Sequence, residues 1–112
     1  MSEKRPTARQ LVESMPKYFK PEKAEDVNAV IQYHLTGENG GDWVIRIQDG
    51  KCTVEEGTVG DATMTLTMDA EDYVDMITGK LDTMSAFMTG KLRLEGDFTL
   101  ATRLGAFFGI GG

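Results

Sequence analysis

The sequence predicts an α+β fold: a five-stranded, largely antiparallel sheet covered on one face by short helices. Three observations carry this. Five segments alternate apolar and polar residues with period two, which gives each a mostly apolar and a mostly polar face. The other apolar residues fall into short helically spaced stretches, most of them opened by a capping residue. Gly-rich clusters and an Asp-Gly pair supply turns. A sheet enclosed between two helical layers would be apolar on both faces. The one-sided pattern therefore puts every helix on one side and water on the other.

Each element follows from local chemistry. Thr7 caps a helix over residues 8–14, with Leu11, Val12 and Met15 as its apolar stripe. Pro16 and Pro21 bracket a break, and residues 20–26 read as a charged loop. In VNAVIQYHLT, Val27, Ala29, Ile31, Tyr33 and Leu35 alternate with Asn28, Val30, Gln32, His34 and Thr36, giving a half-buried strand. GENGGD turns the chain into DWVIRIQ, with Trp43, Ile45 and Ile47 inward. Asp49-Gly50 is a tight-hairpin signal, because a type I′ turn needs positive φ at both central positions. KCTVEE forms the third strand and TMTLTM the fourth, with Met64, Leu66 and Met68 inward. Asp69 caps a helix whose stripe is Tyr73, Val74 and Ile77, and Gly79 stops it. A short helix near residues 84–89 ends at Gly90. TGKL occurs at 78–81 and again at 89–92 and reads as two similar helix stops. LRLE is the fifth strand, Gly96 breaks it, and Asp97 caps a last helix with the stripe Phe98, Ala101, Leu104, Phe107 and Phe108.

Composition narrows the function. The 112 residues suit a single domain, 1–112. The net charge of −6 argues against nucleic acid, which needs a basic footprint. Residues 1–23 carry a net +3 and the remainder −9, so the N-terminal segment is either a solvated basic helix or a contact for anionic lipid head groups. No run approaches the ~18 apolar residues of a membrane span, and MSEKRPTARQ lacks the apolar core of a secretion signal. A cytoplasmic setting is expected, and the single Cys52 excludes an intramolecular disulfide.

Catalytic and metal motifs do not emerge. His34 points outward and Cys52 inward, which rules against a nucleophilic dyad. One His and one Cys are too few soft ligands for a zinc site, so no metal or cofactor is expected. Gly79-Lys80 and Gly90-Lys91 lack the earlier Gly and the following Ser or Thr of a phosphate loop. DAEDYVD lacks the ligand spacing of a calcium loop and reads as helix-start acids. No carboxylate falls on the apolar side, where burial would tune it for acid–base work. What stands out is the inner layer, rich in Met and Phe. Seven methionines suit a surface that accepts varied apolar shapes.

Residues 57–104 carry ordered motifs. Gly57-Thr58, Ala62, Thr65, Thr67-Met68-Asp69 and Glu71-Asp72 come first, then Gly79-Lys80-Leu81, then Ala86-Phe87-Met88, Gly90-Lys91-Leu92, Leu94 and Gly96-Asp97. This series closely resembles the type 2 sterol carrier protein domain. The resemblance implies an apolar tunnel between sheet and helices. It implies non-catalytic binding and transfer of a fatty acid, fatty acyl-CoA, phospholipid or sterol. The chain ends in GIGG, without the peroxisomal signal of animal members, which favours a free-standing bacterial-type protein and a fatty acid or acyl-CoA over a sterol. The expected tunnel residues are Met64, Met68, Ile77, Phe87, Met88, Leu94, Phe98, Leu104, Phe107 and Phe108, with the last helix as lid. A protein-interaction or dimerisation module using the same apolar groove is the alternative, and a small acyl-thioester hydrolase is a second rival. Either a monomer or a dimer is compatible with the sequence.

Overall fold

The computed structural model describes residues 6–100, 103 and 107. Helix α1 (Ala8–Glu13) opens on a capping box: the Thr7 hydroxyl accepts from Gln10 N at 3.1 Å, and Gln10 Oε1 accepts from Thr7 N at 2.9 Å. The expected break around Pro16 is instead a second helix, α2 (Met15–Tyr18). Pro16 lies in its first turn, where a missing N–H leaves no helical bond unmade. A 3₁₀ turn, Pro21–Lys23, occupies part of the expected charged loop.

The strands are β1 (Ala29–Thr36), β2 (Gly41–Gln48), β3 (Lys51–Glu56), β4 (Met64–Asp69) and β5 (Leu92–Gly96). Their order across the sheet is β3-β2-β1-β4-β5. Only the central pair, β1 with β4, is parallel, with Ile31 opposite Met64 and Leu35 opposite Met68. Asp49 (φ 55°) and Gly50 (φ 72°) both take positive φ in the β2–β3 hairpin, as a type I′ turn requires. Helices α3 (Ala70–Ile77) and α4 (Thr83–Met88) join β4 to β5, capped by Asp69 and Asp82. Asp97 accepts from Thr99 N at 2.9 Å and opens a C-terminal helix in which residues 98–100, 103 and 107 are helical.

The inward strand residues expected from alternation pack with Val12, Met15, Tyr73, Val74, Ala86, Leu100 and Phe107 into one core. The outer face departs from its polar pattern at two places. Gln32 and Val44, paired across β1 and β2, are each 2% exposed. The connection from β3 to β4 folds over them. Gln32 Nε2 donates to Gly57 O at 3.0 Å and to Trp43 O at 3.2 Å, and its Oε1 accepts from Val59 N at 2.8 Å. A buried amide is tolerated there because its donors and acceptor are used.

Candidate functional site

The layer between sheet and helices is built from Met64, Leu66 and Met68 of β4, Tyr33 and Trp43 of the neighbouring strands, and Tyr73 and Phe107 from the helices above. Tyr33 and Tyr73 meet edge to face, with ring centroids 5.6 Å apart and planes at 70°. Burial pushes Tyr33 up to about 12 and Tyr73 well above the usual phenol range. Burial likewise pushes the Cys52 thiol up to about 11. At neutral pH the three groups are therefore protonated and uncharged. The layer offers apolar surface and a few neutral polar atoms.

Trp43 has a different surrounding. The Arg9 guanidinium carbon lies 5.6 Å from its ring centroid. Arg9 is held there by Glu56 at 2.6 Å and Glu13 at 2.9 Å, and the Glu56 hydrogen bond raises the arginine's pKa most. The Arg9 hydrogen bond in turn lowers that of Glu56. The Trp43 indole N–H is buried and has no hydrogen-bond partner.

The expected tunnel residues divide into groups. Met64 (1% exposed), Met68 (3%) and Phe107 (0%) are buried in the layer, and Ile77 and Leu94 pack partly buried against it. Phe87, Met88 and Phe98 are exposed. Leu104 and Phe108 lie outside the described residues. On α4 the buried residue is Ala86, whose small side chain lets the helix lie close to the sheet. At about 100° per residue, positions 84, 87 and 88 fall on the side away from Ala86. Phe87 and Met88 are expected from the sequence to face the sheet, and a helix period does not tell which side is covered. The C-terminal helix differs similarly: Leu100 and Phe107, seven residues apart, are buried, and Phe98 lies on the opposite side.

A cleft of about 180 Å³ opens beside that helix, with Val27, Ala29 and Leu100 in its lining and Asp26, Asp97 and Arg103 around it. It is smaller than the ~300–1,000 Å³ of typical ligand sites. Arg103 spans it, with Nη2 at 3.4 Å from both Asp26 Oδ1 and Lys23 O. On the sheet's other face His34 Nδ1 lies 2.7 Å from Asp42 Oδ1, away from Cys52 as the alternation requires. Among the described residues no cluster of three His, Cys, Asp or Glu side chains is arranged to hold a metal. No described helix is long and apolar enough to cross a membrane.

Comparison with known proteins places this geometry. A curated relative, hydroxysteroid dehydrogenase-like protein 2 of Xenopus tropicalis, is 35% identical over 89 residues. Those residues are 79% of this chain but 21% of that protein, so the chain spans about a fifth of the relative's length. The sec-alkylsulfatase Pisa1 of Pseudomonas sp. superposes with a TM-score of 0.75 at 21% identity, over 94% of this chain and 16% of that one. The palmitated SCP2L2 of Aedes aegypti superposes at 0.70 and 22% identity, over 88% of each chain. Both likenesses show the fold. Residues 9–109 match the model of the SCP-2 sterol transfer family, and on that match, with the fold agreeing, the chain belongs to that family.

Proposed function

We propose that this chain is a lipid-binding domain that shelters a hydrocarbon tail between sheet and helices and performs no chemistry on it. The preferred cargo is a fatty acid or fatty acyl-CoA, with phospholipid or sterol as further members of the class. The observation that carries this reading is the inner layer. Flexible Met64 and Met68 and the aromatic Phe107 lie under helices of four to eight residues, with Ile77 and Leu94 at the edge. Its polar groups Tyr33, Tyr73 and Cys52 are neutral at pH 7. The Aedes protein of the same fold is palmitated.

The tail enters between the sheet and the short helices. Each buried methylene contributes about 0.8 kcal/mol, and ten contribute about 8. Association and ordering cost about 4–15 kcal/mol. Ten methylenes therefore leave at most about 4 kcal/mol, millimolar binding, whereas a tail of about fifteen at the low end of that cost leaves about 8 kcal/mol, micromolar binding, which suits a carrier that must release its cargo. Titration with a fluorescent fatty acid tests this: saturable micromolar binding is expected, and the absence of saturation would reject the reading. In the longer relatives the domain is one part, and a role here in delivering cargo to an attached or separate enzyme belongs to the same proposal.

A further inference from the structure

Met84, Phe87 and Met88 of α4 lie outside the buried layer described above. Met84 is 64% exposed, Phe87 46% and Met88 77%, and their i, i+3, i+4 spacing gathers them on one side of the helix. Single exposed apolar residues are ordinary, whereas three on six residues form a patch. The two TGKL stops place a lysine at each end of it. Lys80 N bonds to Asp75 O at 2.8 Å just before α4, and Lys91 N bonds to Ala86 O at 2.9 Å just after it. Both lysines are exposed. The one acid between them, Asp82, has its carboxylate turned to the helix N-terminus, accepting from Ser85 N at 2.9 Å.

We infer that α4 docks the protein on the surface of an anionic lipid bilayer, with Met84, Phe87 and Met88 entering the interface and Lys80 and Lys91 meeting the head groups. The segment from Gly79 to Lys91 carries a net +1 in a chain of net −6. At physiological ionic strength charges are screened over about 8 Å, so the charges beside the patch weigh more at the membrane than the net charge of the whole chain. Long lysine side chains suit this position because their stems can lie along the apolar face while the ammonium stays at head-group level. An amphipathic face of this kind settles roughly 5–10 Å into the head-group boundary. The N-terminal basic segment is the competing contact, and its Arg9 is already engaged by Glu13 and Glu56. The docking proposal extends the carrier reading without depending on it.

Co-sedimentation of the full chain with vesicles of phosphatidylcholine alone, and of phosphatidylcholine mixed with phosphatidylserine, tests the proposal. Association is expected with the anionic vesicles and is expected to fall with added salt. Lys80→Glu with Lys91→Glu weakens it by about fivefold or more per lysine. Met84→Ser, at a solvent-exposed site, weakens it by about fivefold. Both variants keep the wild-type fatty-acid affinity and far-ultraviolet circular dichroism. Lys17→Glu with Lys20→Glu leaves vesicle association unchanged. Wild-type association in the α4 variants, or a loss confined to the Lys17/Lys20 variant, overturns the proposal. So does a vesicle-free dimer that Met84→Ser dissociates, since a second copy would then cover the face. Vesicle association in a chain that takes up no fatty acid supports the docking and rejects the carrier reading.

Discussion

Gln32 carries a polar side chain on the face of β1 that alternation assigns to water, yet it is 2% exposed. Its amide fastens the segment that leads from β3 to β4, through Gly57 O and Val59 N. Gln32→Ala leaves those groups without their partner, and each unsatisfied group costs about 1–3 kcal/mol. A loss of about 2–4 kcal/mol in urea unfolding is expected, and a loss below about 0.5 kcal/mol would show that the segment holds itself. Nothing in the sequence separates a covered glutamine from a solvated one, because period two reports the face and not what lies over it. Cys52 and Tyr33 give a second residue-scale prediction. Their ordinary values are 9.0 and 10.0, and burial raises them to about 11 and about 12. The unfolded chain releases these protons first, so high pH favours unfolding. Their stabilisation is complete below pH 9 and is lost as pH rises from 9 to about 12. Urea midpoints that stayed level over that range would contradict this.

Among the elements, the two TGKL stops are the most legible. Thr78 and Thr89 each donate a hydroxyl at 2.8 Å to the carbonyl four residues back. Gly79 (φ 89°) and Gly90 (φ 82°) each take the left-handed conformation, and the next lysine N–H closes on the carbonyl five residues back. A Cβ at either glycine would meet nothing within 4 Å, so backbone strain alone sets the cost of alanine there. Gly79→Ala and Gly90→Ala are expected to cost about 1–2 kcal/mol each, and nearly the same amount. Gly60→Ala, also in open space and without positive φ, serves as the neutral control in thermal unfolding. Caps and stops are legible because they are local. The direction of the α4 stripe and the buried face of the C-terminal helix are not, since a helix period fixes which residues share a side but only neighbours in space decide which side is covered. Alternation along β4 accordingly shows that Met64 and Met68 are buried, while helix spacing alone does not tell that Phe107 is buried and that Phe87, Met88 and Phe98 are exposed.

At the scale of the whole molecule, the one-sided sheet and the α+β class follow from alternation, and the motifs of residues 57–104 pointed to the family. The parallel pairing of β1 with β4 was not foreseeable from alternation, because it is the same for either strand direction. If the interlayer takes up a tail, ligand and folding are linked. At a hundredfold excess over Kd a fatty acid adds about 2.7 kcal/mol to stability, visible as a raised unfolding midpoint. An unmoved midpoint at saturating fatty acid would mean that the tail does not enter the folded layer. The parallel seam also divides the chain into two pieces that can each assemble from neighbouring segments: the β1–β3 meander, and β4 with α3, α4 and β5. Joining them brings Ile31 to Met64 across the length of the meander, a closure whose entropy must be met before the seam contacts repay it. The seam should therefore set the pace of self-assembly. Stopped-flow refolding should slow for Leu66→Ala on that seam, whereas Val54→Ala on the outer β3 should mainly hasten unfolding.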